Sequence, residues 1–179
     1  MQGQRTDGFE AARAQRNFLE RLVERIPGFG GFQDRELRRD VDKLQREHMA
    51  GEVTALKGRL REIARDYTDA GKIGVLDRFE RLDRRLDGLA SSIRHADYGA
   101  SGLFSPVKIG EPELAALYEH DLSLLDDLTA LERGVETLPP PGGADPEPAL
   151  DALLQQVRSI EEAWGRRGTV IANVVQTAG

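Results

Sequence analysis

The chain has 179 residues, which is enough for one domain with a sizeable hydrophobic core. Hydrophobic residues make up 39% of it, charged residues 31% and aromatic residues 6%, a balance typical of long helices with wide solvated faces. Cysteine is absent, which excludes disulfides, thiolate zinc sites and cysteine nucleophiles and favours a reducing compartment.

The sequence contains no segment that predicts membrane insertion or export. No apolar run approaches the roughly 18–20 residues of a membrane-spanning helix, and the polar first residues contain no apolar signal core. We therefore expect a cytoplasmic protein, either free or peripheral to the inner face of the membrane.

The net charge of −6 is unevenly distributed along the chain. Residues 72–95 carry six basic and four acidic side chains, whereas residues 111–136 carry one basic and eight acidic side chains. An acidic helix beside more basic ones predicts ion pairing inside the fold. The same balance argues against nucleic-acid binding, because a phosphate backbone requires a net basic face.

The first predicted helix covers residues 6–26, where apolar residues recur at steps of three and four. The Pro-Gly pair at 27–28 ends it. Phe29 and Phe32 follow in a short loop. They either staple the next helix onto the first, which is the favoured interpretation, or form an exposed apolar tip for a membrane surface or a partner groove.

The second predicted helix begins near Gln33 or Asp34 and ends near Gly71. Two apolar runs follow heptad spacing along it, and their offset by one residue near Gly51 predicts a local rotation of the seam or a kink. The first run is Leu37, Val41, Leu44 and His48, and the second is Met49, Val53, Leu56, Leu60, Ile63 and Tyr67.

The third predicted helix covers residues 72–97 and follows the second so closely that the two should form an antiparallel hairpin. Its predicted buried stripe is Ile73, Leu76, Phe79, Leu82, Leu86, Leu89 and Ile93. Residues 98–110 then form a loop rich in glycine. Its apolar residues Tyr98, Leu103 and Phe104 either cap the bundle or anchor a partner.

The remainder of the chain predicts two more helices separated by a linker. A fourth helix opens at the Glu-Pro pair 111–112, since proline suits the first helical turn. Residues 138–148 form a linker of proline and glycine. A fifth helix starts near residue 149, and Gly165 and Gly168 are potential interruptions before a helical tail.

These elements predict an all-α fold, an elongated antiparallel helical bundle or coiled-coil hairpin of four to five helices. Residues 1–137 are expected to form the bundle and residues 138–148 the linker. Residues 149–179 are expected to form a C-terminal helix that packs on the bundle.

Two segments carry a resemblance to known sequences. They are IPGFGGFQDRELRRDVDKLQREH at 26–48 and RHADYGASGLFSPVKIGEPELAALYEHDLSLLDDL at 94–128. Together they resemble an uncharacterised family of small helical bacterial proteins with a proline-glycine-aromatic turn before an Arg-rich helix. The resemblance implies a bacterial, intracellular and helical protein and transfers no catalytic residues.

The three histidines are the first candidates for a metal site. His48 is interpreted as a residue at the edge of the core, and His95 as a cation near a helix C-terminus. His120 lies in the segment Glu119-His120-Asp121, but a carboxylate-bridged metal bundle needs Glu three residues before His. That position holds Gln45, Ser92 and Leu117 in the three cases. We therefore expect no metal and no cofactor.

No enzyme motif is present in the sequence. The serines lack a Gly-x-Ser-x-Gly context, and the short glycine clusters at 30–31 and 99–102 have no preceding strand and no P-loop lysine. The adjacent carboxylates Asp126 and Asp127 point about 100° apart on a helix, which is typical of a solvated face. The chain is expected not to be an enzyme.

Two arginine clusters are candidate interaction surfaces. Arg78, Arg81 and Arg85 share one face of the third predicted helix, and a second cluster lies at the start of the second predicted helix. The second cluster is Arg35, Arg38, Arg39, Lys43 and Arg46. Both clusters alternate with acids, so ion pairing within the chain is the favoured interpretation, and docking to an acidic partner or anionic lipid is the alternative.

Three functional hypotheses remain. The first is a non-enzymatic scaffold or adaptor that binds another protein or self-associates along its helix faces. The second is a peripheral membrane scaffold of the stress-response type, which would use Phe29, Phe32 and the arginine faces. The third is a metal-binding helical bundle that would use Glu119, His120 and Asp121.

Overall fold

The computed structural model describes residues 37–96 and 111–177, with side chains described for 43–96 and 119–170. The helices are α1 (Leu37–Asp69), α2 (Leu76–Arg94), α3 (Glu111–Glu136) and α4 (Glu147–Thr177), and a 3-10 turn covers Ile73–Val75. No strand occurs in these two ranges, and the predicted all-α helical bundle is confirmed. The predicted helix at 6–26 and the predicted loop at 98–110 lie outside the described residues.

The chain divides into two compact units. The first, the four-helix unit, consists of Glu47–Ala96 and Leu124–Trp164. The described part of the second unit consists of residues 37–46, 111–123 and 165–177. Residues 138–146, the linker between α3 and α4, therefore join two helices of the four-helix unit.

Ion pairs define the direction of α1 relative to α2. Lys57 pairs with Asp87, and four residues further along α1, Arg61 pairs with Asp83 through an Nε–Oδ1 distance of 2.6 Å. Later residues of α1 thus contact earlier residues of α2. These pairs show that α1 and α2 form the predicted antiparallel hairpin.

Helices α1 and α3 run in the same direction in the four-helix unit. Arg59 contacts Glu132, and further along both segments the Tyr67 hydroxyl donates to the Pro139 carbonyl oxygen. Helices α2 and α4 are related in the same way by the ion pairs Arg78–Asp151 and Arg85–Glu161. The unit therefore consists of two antiparallel hairpins packed with like-directed helices side by side.

Leucine-rich stripes at steps of three and four form the core of the four-helix unit. Full burial of each such side chain contributes roughly 1.5–3 kcal/mol before the loss of chain entropy. The buried members include Val53, Leu56, Leu60, Phe79, Leu82, Leu86, Leu89, Leu125, Leu128, Leu131, Leu153, Val157 and Ile160.

A glycine ends α1 and turns the chain into α2. Gly71 has a φ of +69°, a left-handed conformation that glycine adopts without a Cβ clash. Its N–H donates to the Thr68 carbonyl (2.9 Å), and the Lys72 N–H donates to the Tyr67 carbonyl (2.8 Å). These two bonds form a Schellman motif, which satisfies carbonyls that the helix end leaves open.

Ile73 departs from the predicted stripe of the third helix. It was expected to be buried with Phe79 and Leu82, but its side chain is 70% exposed. Because Ile73 lies in the 3-10 turn before α2 begins at Leu76, it does not follow the 3.6-residue period of the helix. The α-helix is consequently shorter than the predicted 72–97.

Helix α4 continues through both glycines that were potential interruptions. It runs without a break from Glu147 through Gly165 and Gly168 to Thr177, so the predicted helical tail is present. At the first residue of α4, the Glu147 N–H donates to Asp145 Oδ1 at 3.1 Å, which satisfies one of the open N–H groups of the first turn.

The seam of α1 differs from the predicted first apolar run. Leu44 and His48 are half-buried, whereas Gln45 and Arg46 are buried. Steps of three and four from Met49 lead back to Gln45 and Arg46, so the seam keeps one phase through Gly51 in a continuous helix. The polar character of Gln45 and Arg46 hid this continuity in the sequence.

Two glycines inside helices should respond differently to replacement by alanine. Gly58→Ala should stabilise the protein by about 1 kcal/mol, because its Cβ would meet no atom within 4 Å and alanine is the better helix former. In Gly134→Ala the Cβ would lie 2.7 Å from the buried Leu153 Cδ2, and overpacking of about 1–3 kcal/mol should cancel the gain. Urea unfolding measures both variants, and equal stabilisation would contradict the close α3–α4 packing.

Tyr67 should couple stability to alkaline pH. Its phenol is 2% exposed and donates to the Pro139 carbonyl at 2.6 Å, and burial, assisted by the charge of Asp145, raises its pKa. The stability from the neutral phenol is therefore present below the unfolded pKa of about 10 and lost as pH rises above it.

Tyr67→Phe should cost about 1 kcal/mol at neutral pH through the lost hydrogen bond. It should also flatten the fall in unfolding free energy above pH ~10. The phenyl ring preserves the packing on Phe79, whose ring centroid lies 5.4 Å away. Unfolding followed by circular dichroism from neutral to alkaline pH checks this, and parallel curves for the two proteins would contradict it.

Candidate functional site

Arg78 links α2 to the start of α4. Its Nη2 lies 2.9 Å from Glu147 Oε2, and its Nε donates to Asp151 Oδ1 at 3.1 Å. The hydrogen bond to Asp151 raises the pKa of the guanidinium, and the charges of Glu147 and Asp77 add to that effect. This arginine of the predicted surface is therefore part of a helix-helix contact.

The other two arginines of that face are also paired. Arg85 donates to Glu161 of α4, and Arg81 Nη2 lies 2.8 Å from Asp77 Oδ2 within α2. The face holds α2 against α4 through Arg78 and Arg85. Such pairing within the chain is the interpretation that the alternating charges favoured in the sequence.

The contact between α1 and α2 has its own charged border. Lys57 donates to Asp87, and this hydrogen bond lowers the pKa of the Asp87 carboxyl. Arg61 forms a two-pronged contact with Asp83 at 2.6 and 3.0 Å, and the hydrogen bond raises the pKa of the guanidinium. The two-pronged geometry fixes the rotation of the two helices about their axes.

A concave surface lies between α1 and α2 beside this border. This α1–α2 groove has a volume of about 470 Å³. Its apolar lining is Leu60, Ala64, Leu76 and Phe79, and its polar lining is Arg61, Arg65, Thr68, Glu80, Asp83 and Arg84. The arrangement of apolar side chains with charged neighbours is typical of a protein interface.

Three arginines of the groove differ in how they are paired. Arg61 holds Asp83, and Arg84 Nη1 lies 3.5 Å from Glu80 Oε2. Arg65 is exposed and forms no ion pair with any residue in the described ranges. Its guanidinium therefore lies beside the apolar lining without an ion pair from the described residues.

A second, smaller cavity of about 300 Å³ lies at the end of the four-helix unit. Its ionisable lining includes Lys72, Asp145 and Glu147. Asp145 accepts a hydrogen bond at the start of α4, and Glu147 pairs with Arg78. These carboxylates are therefore used to hold the linker and α4 in place.

The histidines lie at separate places in the fold. His48 Nε2 is 3.1 Å from Glu52 Oε1 in the next turn of α1. His95 is the C-cap of α2, and its Nδ1 lies 3.0 Å from the Ser91 carbonyl oxygen, in agreement with the capping interpretation. His120 is half-buried in the second unit. Within the described part of the chain, no three His, Asp or Glu side chains are grouped as metal ligands.

Asp121 has a structural partner that the sequence analysis missed. Arg167 Nε donates to Asp121 Oδ1 at 2.7 Å, and its Nη2 donates to Oδ2 at 2.9 Å. The two residues are 0% and 7% exposed, so the pair is buried in the second unit. Both carboxylate oxygens of Asp121 are engaged by the guanidinium, which weighs against its use as a metal ligand.

Two more buried polar residues belong to the second unit. Gln45 is 1% exposed, and its Nε2 has no hydrogen-bond partner among the described residues. Arg46, from the predicted arginine cluster, is also buried. The seam of this unit therefore contains charged and polar groups where the four-helix unit has leucine, valine and isoleucine.

Heptad spacing was the signal that could have located these polar seam residues. Asp121 stands between Leu117 and Leu124 at steps of four and three, and Arg167 follows Trp164 by three. A charged residue at a seam position needs a buried partner of opposite charge. Sequence spacing therefore indicates that a charged seam residue needs a partner, but it does not identify that partner.

The remaining predicted surface residues lie beyond what the structure describes. Phe29, Phe32, Arg35, Tyr98, Leu103 and Phe104 fall in segments outside the described residues, and Arg38 and Arg39 lie in α1 without described side chains. The hypotheses that depend on them stay predictions.

No protein-family model, curated protein or solved structure matches this chain. The resemblance to a family of helical bacterial proteins therefore stays a prediction. Among the described helices, none combines the length and the apolar character that a membrane crossing requires.

The buried Asp121–Arg167 pair should show strong coupling in a double-mutant cycle. Asp121→Leu or Arg167→Met alone should destabilise the protein by about 3–5 kcal/mol, because each removes one half of a charge pair that is buried in the second unit. Asp121→Leu combined with Arg167→Met should cost much less than the sum of the two single changes. Chemical unfolding measures the cycle, and additive losses would contradict the pairing.

Proposed function

We propose that this protein is a non-enzymatic helical scaffold that binds another protein. The observation that carries the proposal is the α1–α2 groove, a concave surface with an apolar lining and a charged border. Recognition of a helix in such a groove is a recurring mode of protein binding.

The ion pairs of the four-helix unit support this function by fixing the surface before a partner arrives. Arg61 and Lys57 tie the two walls of the groove together, and Arg78 and Arg85 tie α2 to α4. A preformed surface loses little conformational entropy on binding, so more of the contact energy appears as affinity.

The placement of the charged side chains supports a binding function more than a catalytic one. Lys57, Arg59, Arg61, Arg78 and Arg85 pair across helices at the surface of the four-helix unit, where ion pairs in a high dielectric set register and partner choice. Self-association is the form of this function in which the partner is a second copy of the chain.

Photo-crosslinking tests the proposal in the full chain. A photoreactive p-benzoylphenylalanine in place of the exposed Thr68, which lines the groove, or of the exposed Ala152, on α4, should yield a defined protein adduct in native cells from at least one position. Sedimentation equilibrium of the purified chain detects adducts that are second copies. A strict monomer that forms no protein adduct from either position would contradict a scaffold function.

A further inference from the structure

We infer that the α1–α2 groove binds a short amphipathic helix with an acidic polar face, supplied by a partner protein. This inference rests on the proposed scaffold function and adds the chemistry of the partner. Three observations carry it: the length of the groove, its apolar lining and its unequal charges.

The length of the groove matches about two and a half turns of a helix. Its lining residues span 60–68 on α1 and 76–84 on α2. Nine residues of helix cover roughly 12–14 Å at 1.5 Å per residue. A ligand helix that lies along it can therefore insert apolar side chains at positions i, i+3 or i+4, and i+7.

The apolar lining continues in sequence toward an exposed isoleucine. Leu60 and Phe79 form the buried floor of the groove, and Ala64 and Leu76 are its half-buried apolar members. Ile73, three residues before Leu76 in the chain, is 70% exposed. Ile73 is the large apolar side chain that the described residues leave most open to water. The groove lining does not include Ile73, so a partner helix in the groove would cover Ala64 and Leu76, which is favourable by roughly 25 cal/mol per Å² of apolar surface buried.

The charges of the groove select an acidic ligand. Its lining holds three arginines and two acids, a net of +1 in a chain whose net charge is −6. Arg61 and Asp83 neutralise each other, and Arg84 and Glu80 do so more loosely at 3.5 Å. Arg65 remains open to a carboxylate from a ligand, because no described residue forms an ion pair with it.

A second copy of the chain fits the groove less well than a different protein. Among the helices that the structure describes, the acidic one is α3, and its apolar side chains Leu125, Leu128 and Leu131 are buried in the core of the four-helix unit. It cannot present them to another copy without unfolding. We therefore assign the acidic amphipathic helix to a partner protein.

Two helix-constrained, fluorescein-labelled peptides of about 12 residues, a little over three turns, serve as probes. Both carry leucine at positions 1, 4, 5 and 8, and the polar positions hold glutamate in one and lysine in the other. In fluorescence polarisation with the full chain, the glutamate peptide should bind at least about fivefold more tightly than the lysine peptide. The reason is that glutamate forms an ion pair with Arg65, whereas lysine is repelled by it.

Charge reversal in the protein separates the groove from a general charge effect. Arg65→Glu should weaken the glutamate peptide about fivefold and strengthen the lysine peptide. Arg158→Glu makes the same charge reversal at an exposed site of α4 that does not line the groove. It should change the affinity for either peptide by less than about twofold, because a distant exposed charge contributes little to binding. Ala64→Trp, which fills the groove, should abolish binding of both peptides.

The outcomes distinguish this inference from the proposed function. Equal binding of the two peptides, or equal effects of Arg65→Glu and Arg158→Glu, would overturn the acidic-helix inference. So would adducts from Ala152 without adducts from Thr68, although the scaffold function would then stand. Binding of anionic vesicles that Ala64→Trp abolishes, with no peptide binding, would overturn it in favour of a lipid ligand.

Discussion

Burial of leucine-type side chains at alternating steps of three and four is the constraint on which the described structure depends. A single narrow apolar face per helix obliges each helix to lie beside others along its length. In the four-helix unit the short turn at Gly71 and the linker at 138–146 each join two such helices. Two hairpins that cannot cover their apolar faces alone then cover each other, and like-directed helices become neighbours.

The pairing of charged side chains follows from the same constraint, because residues that border a seam are brought close to residues of another helix. Arg78, Arg85 and Lys57 meet acids there, and their ion pairs set direction and register while contributing little net stability. Between α1 and α2 this border opens into a groove whose apolar floor includes the buried Leu60 and Phe79 and whose rim carries the exposed Arg65. In the proposed function, this groove is the surface that contacts a partner.

The second unit uses its seam differently. Asp121 and Arg167 occupy positions where the heptad pattern calls for apolar residues, and they form a two-pronged buried pair. Replacing such a pair by apolar residues is often neutral or stabilising, so stability alone does not explain it. A polar pair inside a seam penalises alternative registers, since each shift would leave a charge buried without a partner.

The sequence by itself determined most of the helices, because periodicity and turn residues act within a few positions. The apolar stripe from Met49 to Tyr67 and the stop at Gly71 agree with the structure, whereas α4 begins at Glu147, inside the predicted linker 138–148. Beyond the α1–α2 hairpin, which the short turn predicted, only the tertiary structure decided which helices are neighbours, and with that which charges pair. The spacing of Asp121 could not name Arg167, and the groove beside Arg65 exists only after α1 and α2 pack. Contacts between residues far apart in the chain depend on the mutual orientation of whole helices, which no local pattern encodes.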